Sequence, residues 1–198
     1  MSNKTLFFFD TETSGLDAKR HTILQIAWII EKNGVPMVER SFDIKPDLND
    51  DLNFAALDVN NFTIERMIAG KDRQYVLEIM RKDLKEAIGG GESIVPVGHQ
   101  VSFDIDFLYA LAAKGTETFW LNFGNGSMLT IKKPLCTLAM CHFLDYAGVL
   151  KLPDYKLTTV CKHLNIELTH AHDAMGDVVA TRKVFHYAKS RILNFNKG

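Results

Sequence analysis

The chain opens with an apolar run, Leu6-Phe7-Phe8-Phe9, ending at Asp10; residues 5 to 10 are predicted as a first strand, followed by a turn at Thr13-Ser14-Gly15. His21 to Ile30 alternates and is rich in Ile, which predicts a second strand, and Asn33-Gly34 offers a hairpin turn into a third at Val38 to Ile44. The period then changes. Helical spacing covers Thr63 to Ala69 and Arg73 to Ile88, with Thr63 as an N-cap and Gly89-Gly90-Gly91 as a stop. Ser93 to Val97 reads as a strand, Ser102 to Lys114 as a helix, and Thr137 to Tyr146, Lys156 to Leu164 and Ala174 to Leu193 as further helices. Strands first, then alternating strand and helix, predict an α/β fold with a mixed sheet flanked by helices. Thr116 to Ile131, with Phe123-Gly124-Asn125-Gly126, reads as an inserted hairpin or loop within a single domain spanning 1–198.

Composition narrows this picture. With 198 residues and 46% hydrophobic side chains, the chain can bury a full core without disulfides. Cys136, Cys141 and Cys161 are odd in number and show no paired Cys-x-x-Cys spacing, which fits reduced thiols in a cytoplasmic compartment rather than a disulfide framework or a zinc site. The first apolar stretch is interrupted at Asp10, too early for a secretory signal or a membrane span. A net charge of −1 argues against a protein that coats long nucleic acid. The charge is unevenly spread: residues 1–129 hold 13 Lys and Arg against 19 Asp and Glu, and residues 130–198 hold 10 against 5. In that basic third, Lys132, Lys133, Lys156, Lys162, Arg182 and Lys183 could meet a few phosphates, although scattered Lys and Arg on solvated helix faces are the commoner explanation.

Four acids interrupt the apolar pattern. Asp10 and Glu12 stand two residues apart, so a strand's period of two points both carboxylates to one face. Like charges emerging from a buried strand repel and lose hydration, and a hard divalent cation between them would relieve both penalties. In the helix beginning near Ser102, a turn of about 100° per residue places Asp104 on the arc of Phe103, Phe107, Leu108 and Leu111, while Asp106 falls outside it. Asp177 lies in line with Thr181, Val184, Ala188 and Ile192 on the inward stripe of the last helix.

The segments Phe9-Asp10-Thr11-Glu12-Thr13-Ser14-Gly15-Leu16, Val97-Gly98-His99-Gln100-Val101-Ser102-Phe103-Asp104 and His172-Asp173-Ala174-Met175-Gly176-Asp177 resemble the three motifs of the DEDDh exonucleases, a superfamily that includes proofreading subunits of bacterial replicative polymerases. The resemblance spans nearly the whole chain and implies the ribonuclease H-like fold, a five-stranded mixed sheet with helices on its faces. It also implies that Asp10, Glu12, Asp104 and Asp177 bind two divalent ions, Mg²⁺ or Mn²⁺, with His172 as general base. Thr13, Gly15 and Leu16 would hold the 3′-terminal nucleotide, Leu16 wedging against its base, with His99 and Phe103 lining the same pocket. Gln100 departs from the Asn common in the family. His170 has the wrong spacing to Asp177 for the motif and reads as a loop residue.

The expected activity is therefore 3′-to-5′ exonucleolysis with release of nucleoside 5′-monophosphates, most readily from single-stranded DNA ends. An RNA-trimming or oligoribonucleotide exonuclease and, behind it, a non-catalytic nucleic-acid or polymerase-binding module are the alternatives. The implied partners are single-stranded 3′ ends, DNA favoured over RNA, and a DNA polymerase; monomer and homodimer are both open.

Overall fold

In a computed structural model the described residues are 5–88, 94–114, 133–168 and 173–194. Five strands form one sheet: β1 (Thr5–Thr13), β2 (Ile23–Lys32), β3 (Val35–Asp43), β4 (Ile94–Gly98) and β5 (Leu135–Cys136), in spatial order β3-β2-β1-β4-β5. The first three pair antiparallel, and β4 and β5 add in parallel. The sheet is the expected mixed one. Among the described residues seven helices surround it: α1 (Phe54–Val59), α2 (Ile64–Ala69), α3 (Arg73–Ile88), α4 (Val101–Ala113), α5 (Thr137–Tyr146), α6 (Leu157–Leu164) and α7 (Ala174–Asn194).

The central strands β1 and β2 are covered on both faces, so β2 is not the alternating strand expected but a nearly continuous apolar run, Ile23 to Ile30 broken only at Gln25. Phe7, Phe9, Trp28 and Ile30 pack with α3 and α4 through Val76, Leu77, Met80, Phe107 and Leu111. The alternate positions, Phe8, Ala27 and Ile29, pack with Ala174, Val178 and Phe185 of α7. This two-sided burial fixes the register, because a one-residue slip would exchange the faces. It also brings α4 and α7 to the C-terminal end of β1, where the acids stand.

Several elements depart from the sequence expectation: β5 at Leu135–Cys136 is a strand where none is expected, and β3 begins at Val35 rather than Val38. β1 continues to Thr13, which pairs with Ile23 after an irregularity between Glu12 and Thr13, so the turn begins one residue later than expected. The short helix α1 lies where only a loop is expected; Asn53 caps it through Oδ1, accepting the N–H groups of Ala55 and Ala56. The expected insertion at 116–131 and the stop at Gly89-Gly90-Gly91 lie outside the described residues. Among the described residues, no helix is long and apolar enough to cross a membrane.

Candidate active site

Asp10 and Glu12 project from one face of β1, and Asp177 meets them from the first turn of α7. One carboxylate oxygen from each of the three lies within 4.8 Å of the others. Such close approach of three acids arises because α7 is bound along its length to the same sheet face through Ala174 and Val178. The helix pattern correctly separates the two acids of α4: Asp104 is buried and Asp106 exposed. Asp104 is held beside the trio. Its Oδ1 accepts both the backbone N–H of Thr11 at 3.0 Å and the Thr11 hydroxyl at 2.8 Å, so the residue between the two β1 acids fixes the fourth acid.

The electrostatics follow from crowding and burial. Burial, then the charges of Asp104, Asp177, Glu12 and Asp173, push the Asp10 carboxyl well above the ordinary range. Glu12 is pushed up to about 8 by burial, with Asp177, Asp104 and Asp173 adding to the rise and Arg66 opposing it. Asp104 is raised to about 7 by burial, with Asp177 adding to the rise and the two Thr11 hydrogen bonds, which favour the charged form, opposing it. Each shift favours the protonated form of these acids when no counter-cation is present. The nearby cation, Arg66, is directed elsewhere: its Nε and Nη2 donate to Asp43 at 2.8 Å each, and it stacks 3.8 Å over the Phe62 ring.

Beside the acids, the loop after β1 forms one wall of an opening. Thr13 is buried, its hydroxyl donating to the Gly15 carbonyl at 2.7 Å, while its own carbonyl accepts Asn60 Nδ2 at 3.1 Å. The Asn53 N–H donates to the Ser14 carbonyl at 2.8 Å, so α1 is fastened to this loop at both ends. A Cβ at Gly15 would lie 2.2 Å from His21 Cδ2, so any larger residue there would have to displace the His21 ring. Leu16 is 85% exposed, which excludes a core role for it. A cavity of about 560 Å³ lies between Leu16, Ala18 and Lys19 of the loop and Phe103, Asp106 and Phe107 of α4. Leu16 and Phe103 are thus brought together at its wall.

His99 is half-buried and is not among the residues that line this cavity; both its ring nitrogens are engaged, Nδ1 with Thr137 Oγ1 at 2.9 Å and Nε2 with the Tyr155 carbonyl at 2.8 Å. A carbonyl can only accept, so Nε2 carries the proton, and burial lowers the pKa of the ring. His172 and His170 lie outside the described residues. Of the basic residues in the C-terminal third, Arg182 is committed to the buried Glu31, its Nε donating at 2.6 Å. Asp173, Gln25 and Thr11 were not singled out by sequence as site residues. Gln25 carried a signal, a polar residue inside the otherwise apolar run from Ile23 to Ile30.

A mixed sheet in this order, with three acids converging at the end of its central strand, defines a nuclease-like architecture, and the chain belongs to the exonuclease family whose model, named for RNase T, matches residues 7–185. Among relatives, it is 30% identical over 177 residues to a DNA polymerase III PolC-type of Oceanobacillus iheyensis and 28% identical over 182 residues to that of Bacillus subtilis. These matches cover 89% and 91% of the chain but only 11% of each relative. The fold is that of Exonuclease I. The E. coli Exonuclease I complex with a dT13 oligonucleotide superposes with a TM-score of 0.78 at 20% identity, covering 97% of this chain and 43% of that one. The Methylocaldum szegediense Exonuclease I gives 0.76 at 17% identity, covering 94% and 40%.

Proposed function

We propose that the chain is a metal-dependent 3′-to-5′ exonuclease of the DEDDh type, acting on single-stranded DNA ends and releasing nucleoside 5′-monophosphates. The observation that carries this reading is the convergence of Asp10, Glu12 and Asp177 within 4.8 Å, with Asp104 buried beside them. An all-oxygen donor set suits a hard divalent cation, and the raised carboxyl pKa values are what such a set produces when no cation shares it. Asp10, Glu12, Asp104 and Asp177 would hold two ions, Mg²⁺ or Mn²⁺. Bound there, the ions would make a water more acidic and neutralise charge on the attacking and leaving oxygens. His172, five residues before Asp177, is the proposed base that accepts the water's proton on its imidazole.

The remaining residues serve the strand end. Thr13 and Gly15 shape the loop beneath the terminal nucleotide, exposed Leu16 and half-buried Phe103 offer apolar faces to its base, and His99 is the proposed further substrate-binding residue, its ring held by Thr137 and Tyr155. DNA as the polymer is supported by the PolC-type relatives, which are DNA polymerases, and by the oligonucleotide in the E. coli Exonuclease I complex. The same relatives support a polymerase as partner, and residues 1–198 are taken as one exonuclease domain. Timed digestion of matched 5′-labelled DNA and RNA oligonucleotides tests the reading. With Mg²⁺ or Mn²⁺ the DNA should shorten progressively while keeping its label, DNA should be cut faster than RNA, and EDTA should stop both. Full activity in EDTA, or early release of the 5′ label as a mononucleotide, would refute it; faster cutting of RNA would reassign the substrate to RNA.

A further inference from the structure

Gln25 is 5% exposed, stands on β2 directly across the ladder from Glu12, and has both ends of its amide engaged with the start of α7. Its Nε2 donates to Asp173 Oδ1 at 3.1 Å, and its Oε1 accepts the Ala174 N–H at 2.9 Å. Asp173 in turn accepts the Gly176 N–H on Oδ2 at 3.2 Å and the Asp177 N–H on its carbonyl at 3.1 Å. Two hydrogen bonds therefore tie the strand that neighbours Glu12 to the start of the helix that carries Asp177, and two more hold Asp173 against that helix's first turn. A helix start ordinarily leaves its first N–H groups to solvent and frays. Here the first turn is fixed in both rotation and translation against the sheet.

Resting on the reading of the acids as divalent-cation ligands, we infer that Gln25 is a positioning residue, which through Asp173 sets the separation of Asp177 from the Asp10 and Glu12 pair. Shared coordination of one ion tolerates errors of only a fraction of an ångström, so a first turn free to shift would lose affinity without any ligand being changed. The chemistry of an amide suits the task. It can donate to the Asp173 carboxylate and accept a backbone N–H at once, and it does so without adding another negative charge beside Glu12.

Calorimetric titration of the full chain with Mn²⁺ tests this, with thermal melts and single-turnover rates on a DNA oligonucleotide read in parallel. Asp177→Ala supplies the reference for loss of a ligand. Gln25→Leu, close in volume but without either polar end, should weaken Mn²⁺ binding at least tenfold and lower kcat by a similar factor while KM stays within about twofold. Gln25→Glu should be worse, because it sets two carboxylates against each other. Adding Asp173→Asn to Gln25→Glu should recover most of that loss, since the Asn amide can donate to the Glu carboxylate and still accept the Gly176 N–H. Mn²⁺ affinity within twofold of wild type in Gln25→Leu, with only its melting temperature lowered, would make the contact merely structural and overturn the inference. A double variant no better than Gln25→Glu would overturn it also. Should Gln25→Leu not fold, the double variant decides. A wild type that binds no Mn²⁺ would instead overturn the metal reading, and the inference with it.

Discussion

In metal-free protein Glu12 should make the fold less stable as pH rises, the reverse of the usual behaviour of a paired carboxylate. Its carboxyl is pushed up from an ordinary 4.5 to about 8, first by burial and then by the charges of Asp177, Asp104 and Asp173. Below 4.5 the folded and unfolded chains are both protonated there, and the stability is fully present. Between 4.5 and about 8 the folded state keeps a proton that the unfolded chain has released, so stability falls with pH until the loss is complete near 8. At about 1.4 kcal/mol per pH unit the ceiling is roughly 5 kcal/mol. Water entering the site and local relaxation reduce this to about 2–3 kcal/mol. For a chain of this size that is a fall in Tm of roughly 4–12 °C. The assay is a thermal melt in chelator from pH 5 to pH 8, on wild type and Glu12→Gln. The wild-type Tm should fall across the range, the variant should fall less, and at pH 8 the variant should be the more stable. Mg²⁺ should raise the wild-type Tm at pH 8 and do much less for Glu12→Gln, because a ligand that binds only the folded state stabilises it by mass action. A wild-type Tm that is flat or rising, or a variant less stable than wild type at pH 8 in chelator, would refute the account of the site as a set of crowded acids.

Two neighbouring acids of identical chemistry should separate in function: Asp104→Asn should lower single-turnover rate by orders of magnitude, while Asp106→Asn keeps kcat within a few-fold and, because Asp106 lines the cavity beside Phe103, shows its effect in KM. Equal losses of kcat from both would show that the buried position of Asp104 is not what matters. For the base, the rate should rise with pH as the imidazole loses its proton, and His172→Ala should lose that limb and a factor of roughly 10²–10⁴ in rate, measured between about pH 5.5 and 9. His170→Ala should change neither; loss of the limb in the His170 variant with retention in the His172 variant would move the base to His170.

The chain's own periodicity determined which elements form and which acids point inward. A strand's period of two put Asp10 and Glu12 on one face, and the helical period put Asp104 inside and Asp106 outside, because these are properties of local backbone geometry. The same local rules gave the order of strands and helices, apart from β5, whose two residues, Leu135–Cys136, carry no pattern and exist as a strand only through pairing with Val97 and Gly98. They could not give α1, a single capped turn and a half whose ends are bound to Thr13 and Ser14. What only the tertiary structure decided is which inward groups meet. Asp177 is more than 160 positions from Asp10 and Glu12 in the chain, yet joins them, whereas Asp104 turns its Oδ1 to Thr11. Gln25 reaches 148 residues along the chain to Asp173. Gly15 is filled by His21 instead of being left open. Periodicity fixes a direction relative to the element's own axis, but the distance between two side chains depends on how far and at what angle the elements pack, which is set by the whole core at once.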